Sequence, residues 1–111
     1  MNINRLDVME VQESSYNGKT IRTVALNSGK VLFLAHDTAS NYLSITGYTR
    51  LYGAVDYRCK GDVILTFEEG VNPQRYKFVD ADGLAHMVYR AKTSPMDAYD
   101  FVLWAKEKSV N

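Results

Sequence analysis

Short apolar stretches separated by turn residues fill the first third of the chain, a pattern typical of antiparallel strands. Residues 6–11 predict a first strand and residues 21–26 predict a second. Asn17-Gly18 between them suits a tight hairpin, because these residues tolerate the positive φ that such a turn requires. After another turn, the unbroken apolar run of residues 31–35 predicts a strand covered on both faces. The chain therefore begins with a predicted antiparallel meander.

The middle of the chain is predicted to contain two helices. Asp37 or Thr38 can cap the first, which reaches Leu43, because their side-chain oxygens accept from the free N–H groups of a first turn. The second is predicted over residues 48–57, although Gly53 is unfavourable inside a helix.

A hairpin is predicted next. Residues 63–67 and 75–79 alternate between apolar and polar around a loop at residues 69–73. Successive residues of a strand lie on opposite faces. The returning strand is therefore expected to place Tyr76 and Phe78 on one face and Arg75 and Lys77 on the other.

Two helices are predicted to close the chain. Asp80 or Asp82 can cap the first, and Ser94 with Pro95 is expected to begin the second. Their apolar positions recur at helical spacing. The predicted buried positions are Leu84, Met87, Val88 and Ala91, then Ala98, Phe101, Val102 and Ala105, with Trp104 at the border. The predicted fold class is α+β, a small antiparallel sheet with about four helices.

Composition sets limits on the function. The length of 111 residues predicts a single domain over residues 1–111. The 13 basic and 13 acidic residues cancel, so any binding to nucleic acid must come from the placement of charge. Cys59 is the only cysteine, which suits a reducing cytosol. With no signal-peptide pattern and no window near the ~20 apolar residues of a membrane span, we expect a cytoplasmic protein without a membrane partner.

Three segments give the chain a family resemblance. Residues 31–39 (VLFLAHDTA) form a strand that leads into a helix, residues 77–84 (KFVDADGL) a strand with an acidic turn, and residues 92–104 (KTSPMDAYDFVLW) a break before an aromatic helix. In this order they resemble the Bro amino-terminal (Bro-N) domain of phage antirepressors and large DNA virus proteins. The resemblance covers roughly residues 19–108.

The resemblance implies a regulatory role in a phage-like setting. Its members bind DNA or interfere with a regulatory protein, which predicts a non-catalytic, antirepressor-like function in the host cytoplasm. This chain departs from the family in two ways. Members usually continue into a second domain, whereas this chain stops at residue 111, and the segment between Leu43 and Asp62 matches poorly.

The poorly matching segment is nevertheless the strongest candidate for a binding site. Residues 48–60 interleave three bases with three tyrosines. If the segment is helical, its first residues lie where a recognition helix meets the major groove, and its later bases suit phosphates. Two further bases follow on the predicted hairpin. The predicted nucleic-acid contacts are Thr49, Arg50, Tyr52, Arg58, Lys60, Arg75 and Lys77.

Each of these residues also has a purely structural interpretation. A charged helix face with tyrosines partly in the core accounts for residues 48–60, and charged strand positions commonly block edge pairing. A different functional class is a protein-binding inhibitor that captures a host or phage regulatory protein. Tyrosine and arginine are enriched in binding hot spots, so its contacts would be Tyr48, Tyr52 and Tyr57.

Catalysis and metal binding receive little support. His36 stands beside Asp37 and near Ser40, but we expect Asp37 to cap a helix, and no oxyanion-type glycine loop accompanies them. Cys59, His36 and His86 lack the spacing of zinc ligands. We therefore predict no enzymatic activity, no metal and no cofactor.

DNA binding by a neutral chain requires a one-sided distribution of charge. We expect Asp7, Glu10 and Glu13 to lie on the side away from the basic residues. A homodimer would suit double-stranded DNA, since small DNA readers commonly use two half-sites.

Overall fold

A five-stranded antiparallel sheet forms the centre of the fold. The computed structural model describes residues 1–109, so the last two residues of the predicted domain lie outside the described residues. The strands are β1 (Val8–Tyr16), β2 (Lys19–Leu26), β3 (Val31–Leu34), β4 (Lys60–Leu65) and β5 (Gln74–Val79). Their spatial order is β1-β2-β3-β5-β4. Both predicted hairpins are present, as is the opening meander.

Four helices accompany the sheet within residues 1–109, which confirms the predicted α+β class. They are α1 (Ala35–Asp37), which continues as a π-helical turn (Thr38–Tyr42), α2 (Thr49–Gly53), α3 (Ala81–Arg90) and α4 (Ala98–Lys108). Short 3-10 turns lie at Arg5–Asp7 and Tyr57–Cys59. Across residues 1–109, every helix is too short or too polar to cross a bilayer.

The apolar side chains form two clusters, one on each face of the sheet. The first cluster joins β2, β3 and β5 to α3 and α4, and it contains all eight apolar positions predicted for the last two helices. The second cluster lies on the opposite face, between the strands and the N-terminal residues. Because β3 contributes to both clusters, all four of its side chains are buried, as its apolar run predicts.

Local signals account for the hairpin turn and for the start of α3. Asn17 and Gly18 both adopt positive φ between β1 and β2, as predicted. Asp80 caps α3 by accepting from the backbone N–H of Gly83 at 2.8 Å. Gly83 is required there, because a Cβ would lie 2.6 Å from the carbonyl oxygen of Cys59.

Three predicted helix boundaries are wrong. Helical structure begins at Ala35, the last residue of the predicted strand and three residues before the first helical position that a cap at Asp37 would give. Asp37 accepts hydrogen bonds from Arg22 of β2 instead. The helix predicted over residues 48–57 is only Thr49–Gly53, which ends at the glycine. The last helix begins at Ala98 and not at Ser94, because the Ser94 hydroxyl donates back to the carbonyl of Val88.

Candidate functional site: a basic face with tyrosines

The predicted bases of the hairpin converge on one face of β4 and β5. In the antiparallel register Asp62 pairs with Lys77 and Ile64 with Arg75. Paired residues share a face, as do residues two apart on one strand, whereas successive residues lie on opposite faces. Lys60, Arg75 and Lys77 therefore share a face, while Tyr76 and Phe78 turn toward the second apolar cluster. This division of the strand confirms the predicted alternation.

Tyr52 of α2 lies at the centre of this convergence. The ammonium nitrogens of Lys60 and Lys77 lie 4.9 Å and 5.6 Å from the centroid of its ring. Such cation–π contacts attract by the ring quadrupole. Tyr48 meets the same ring edge-on at 6.3 Å between centroids. We call this surface the basic-tyrosine face, and it consists of Tyr48, Tyr52, Lys60, Arg75 and Lys77. Arg50 is exposed on α2 beside it, two residues from Tyr52, and residues at that spacing in a helix do not face each other.

Burial strengthens the preference of the Tyr52 hydroxyl for its protonated form. Burial, followed by the nearby charges of Asp62 and Tyr48, raises the pKa of Tyr52 to about 12. The hydroxyl is therefore a neutral hydrogen-bond donor near pH 7. It lies 3.4 Å from the carbonyl oxygen of Gly61, a long and weak contact.

The cations of the segment differ in how far they are already engaged. Arg75 pairs with Asp62 at 2.8 Å, and Lys60 donates to the carbonyls of Tyr52 and Gly53 at the end of α2. Within residues 1–109, the Arg50 and Lys77 side chains make no salt bridge. Arg50 and Lys77 are therefore the cations most available to a ligand.

Arg58 and Tyr57 lie outside the basic-tyrosine face. Both belong to the 3-10 turn that follows α2. The Arg58 guanidinium pairs with Asp56 at 2.8 Å, and these hydrogen bonds hold the pKa of Asp56 well below its usual range. Sequence reasoning placed Tyr57 at the end of one helix with Arg50 and Arg58 directly after it, and the end of α2 at Gly53 separates both from Arg50. Thr49 is exposed at the start of α2.

The tyrosines expected to form a protein-binding surface differ in exposure. Tyr57 is 73% exposed. Tyr48 and Tyr52 are half-buried and pack against the first apolar cluster. The expectation that all three are exposed is therefore correct for Tyr57 alone.

The acidic residues expected on the far side are divided. Glu10 and Glu13 lie on β1, at the opposite edge of the sheet from β4. Asp7 lies in the 3-10 turn that contacts β4, because the N-terminal residues fold back across the sheet. The amino group of Met1 donates to the carbonyl of Tyr57 at 2.6 Å. Glu10 and Glu13 are therefore separated from the basic residues by the width of the sheet, whereas Asp7 is near β4 but beside the second apolar cluster, on the face away from Arg75 and Lys77.

A buried ion pair that sequence reasoning missed lies beside this face. Asp37 is 3% exposed and accepts from the backbone N–H and both Nε and Nη2 of Arg22 at 2.9–3.0 Å. Burial alone would raise the pKa of Asp37, but the hydrogen bonds from Arg22 and His36 outweigh it and lower that pKa. Arg22 is therefore a structural residue and not the surface residue that its position near a turn suggests.

His36 completes this group. Its Nδ1 lies 3.2 Å from Asp37 Oδ1, and its ring meets Tyr48 edge-on at 5.9 Å. Arg22 already binds Asp37. The contact between His36 and Asp37 is therefore better explained as a structural contact than as a catalytic base oriented by an acid. Within residues 1–109, no three His, Cys, Asp or Glu side chains group as metal ligands would.

Comparison of the chain with protein-family models, with curated proteins and with solved structures gives no match.

Proposed function

We propose that this chain is a non-catalytic, phage-type regulatory protein that binds double-stranded DNA through the basic-tyrosine face. The observation that carries the proposal is the meeting of Lys60 and Lys77 over Tyr52. Cations from two strands meet a tyrosine of α2 there, whereas Glu10 and Glu13 lie at the opposite edge of the sheet. The segments that resemble the Bro-N domain support the same class of function.

The geometry favours contacts to phosphates over insertion of a recognition helix. A five-residue helix such as α2 is only about 7–8 Å long, too short to lie along the major groove with several base contacts. Arg50 and Lys77 would instead neutralise phosphates, and the hydroxyl of Tyr52 would donate to a backbone oxygen. Binding of this kind depends strongly on salt and weakly on sequence.

A salt series tests the proposal. Binding to a mixed-sequence duplex is followed by fluorescence anisotropy, and we expect affinity to fall steeply with salt because bound phosphates release counterions. The double variant Arg50→Ala with Lys77→Ala should flatten the slope of log K against log salt by about two, one unit for each lost phosphate contact. Lys60 is left in place because it also holds the end of α2.

The matched control removes the same charge elsewhere. Arg90 and Lys92 are exposed near the end of α3, so Arg90→Ala with Lys92→Ala changes net charge equally. This control should leave the slope unchanged. Equal slopes for the wild type and for Arg50→Ala with Lys77→Ala would remove the basic-tyrosine face as the DNA site.

The exposure of Tyr57 favours a second candidate, a protein-binding inhibitor. Arg58 and Arg75 already pair with carboxylates, which reduces what they offer to phosphates. Tyr57 is 73% exposed, as a tyrosine in a protein interface would be before binding. Absence of DNA binding at low salt, together with capture of a regulatory protein that Tyr57→Ala abolishes, would favour this candidate over the first.

A further inference from the structure

The short central strand leaves a notch in the sheet. β3 has four residues, and it pairs with β5 only at Phe33–Val79 and Leu34–Phe78. Past Leu34 the chain turns into α1, so β2 and the first half of β5 continue without a strand between them. A cleft of about 360 Å³ opens there above Leu34. Its polar and aromatic lining is Arg22, His36, Tyr48, Gln74, Arg75 and Tyr76.

The buried ion pair fixes one wall of the cleft. Asp37 accepts hydrogen bonds from two of the five N–H groups of the Arg22 guanidinium. The same guanidinium lies over the rings of Phe67 and Tyr76, at 5.1 Å and 5.8 Å from their centroids. Arg22 is therefore held in one orientation before any ligand arrives, with further N–H groups beyond those bound to Asp37.

The opposite wall supplies a second guanidinium. Arg75 donates one hydrogen bond from Nη1 to Asp62, and its side chain is 60% exposed. Gln74 precedes it on β5, and the imidazole of His36 enters from α1. Donors from β2 and β5 thus line one concavity, and the His36 ring, whose Nδ1–H donates to Asp37, borders it.

Acceptors are scarce in the same place. Asp37 is 3% exposed and already accepts from Arg22 and His36. Asp62 does not line the cleft, and it is bound to Arg75. The cleft therefore offers donors and positive charge to a ligand that is rich in acceptors. Guanidinium forks match phosphate oxygens, and a tetrahedral phosphate can accept from several directions at once.

We propose that this cleft is a phosphate-binding site. The inference rests on the proposed function for the source of the phosphate, because the cleft shares Tyr48 and Arg75 with the basic-tyrosine face. A nucleic acid held on that face carries its backbone or its 5′ end toward the notch. The chemistry of the cleft is the same for an interior phosphodiester and for a terminal phosphate.

Inorganic phosphate tests the cleft without DNA. The ligand is added to the whole chain, and NMR shifts of the side-chain N–H groups of Arg22 and Gln74 are compared with those in sodium chloride at equal ionic strength. We expect saturable shifts with phosphate alone. His36→Gln with Arg75→Gln should weaken the apparent Kd at least about tenfold, because the charge-assisted contact from Arg75 and the imidazole beside it are lost. Arg22 is left intact, since its bond to Asp37 holds α1 against β2.

Lys92→Gln is the control for loss of a single exposed positive charge, and it should leave the phosphate shifts unchanged. Equal shifts in phosphate and chloride, or an unchanged Kd in the His36→Gln, Arg75→Gln variant, would overturn the proposal. The thermal unfolding of that variant should match the wild type, so a loss of binding does not reflect unfolding.

The two proposals fail separately. Phosphate binding with no affinity for duplex DNA would support the phosphate site and contradict the proposed function. Salt-dependent DNA binding without phosphate shifts would support the proposed function and contradict the phosphate site. Duplexes with and without a 5′-phosphate then identify the source. Tighter binding of the phosphorylated duplex, lost in the His36→Gln, Arg75→Gln variant, assigns the cleft to a terminal phosphate. Equal binding of both duplexes, weakened by that variant, assigns it to an interior one.

Discussion

Two regions of the molecule use aromatic side chains in different ways. In the core, Phe101 of α4 stacks on Tyr42 at 3.7 Å and on Trp104 at 5.5 Å between ring centroids. On the basic-tyrosine face, the ring of Tyr52 lies instead beneath the ammonium groups of Lys60 and Lys77. The core rings exclude water from one another, whereas the ring of Tyr52 meets charged groups.

The hydroxyl groups differ in the same way. Tyr42 is 2% exposed and donates to Asp97 at 2.6 Å, which fixes the ring between β2 and α4. The Tyr52 hydroxyl has only a 3.4 Å contact to a carbonyl. The comparison teaches that residue type alone does not separate a stabilising tyrosine from a binding one. Three matched pairs of substitutions test this difference.

Removing a ring should have the largest effect in the core. Phe101 is fully buried, so Phe101→Ala should lower the free energy of unfolding by about 3–5 kcal/mol through lost burial and the cavity left behind. Tyr57→Ala, at an exposed position, should change it by less than about 0.5 kcal/mol. Urea unfolding followed by tryptophan fluorescence measures both. Similar losses for the two variants would contradict the division into core and surface aromatics.

Removing a hydroxyl should have an intermediate effect. Tyr42→Phe should cost about 1–2 kcal/mol, because the hydrogen bond goes to a carboxylate, while Tyr52→Phe should cost less than about 0.5 kcal/mol. The measurement is urea unfolding at neutral pH. An equal cost for both variants would show that the distance between donor and acceptor does not separate the two regions.

The pH dependence of the same variant sharpens this test. The hydrogen bond from Tyr42 lowers the pKa of Asp97 in the folded chain. A lowered folded pKa gives stability that is present above the unfolded value and is lost as pH falls through the folded one. The difference between the wild type and Tyr42→Phe should therefore narrow below about pH 4. A constant difference would mean that the carboxylate charge contributes nothing to this contact.

The smallest effect separates the two lysines over Tyr52. Lys60→Ala should cost about 0.5–1 kcal/mol, because its ammonium also binds the last carbonyls of α2. Lys77→Ala should change stability by less than about 0.5 kcal/mol. Lys77→Ala should also reduce the salt dependence of DNA binding, and Lys60→Ala should reduce it less, because its ammonium is already engaged by the carbonyls of α2. Equal destabilisation by the two would remove the helix-end role of Lys60.

The elements that could be predicted from the sequence are those with strong local patterns. The helical spacing of Leu84, Met87 and Val88 marked the buried face of α3, and the alternation of β5 placed Arg75 and Lys77 on one face. The boundary at Ala98 was missed, because a capping pattern at Ser94 competes with a hydrogen bond to the previous helix. The part of the candidate site that could be predicted is therefore the shared face of Arg75 and Lys77.

The cleft was not foreseeable. Arg22 and Asp37 are 15 residues apart, and neither has a local pattern that marks it as half of an ion pair. Their contact depends on where β3 stops pairing with β2, which leaves the N–H of Arg22 to a side chain. His36 and Gln74 also line the cleft because β3 ends at Leu34.

The sequence by itself determined the α+β class, the hairpin turn at Asn17-Gly18 and the buried faces of α3 and α4. These depend on period, on turn chemistry and on burial of neighbouring side chains, all of which act over a few residues. The tertiary structure alone decided which cations meet over Tyr52 and which are paired with Asp56 or Asp62. Charge pairing depends on distances between segments, and those distances exist only once the sheet has formed.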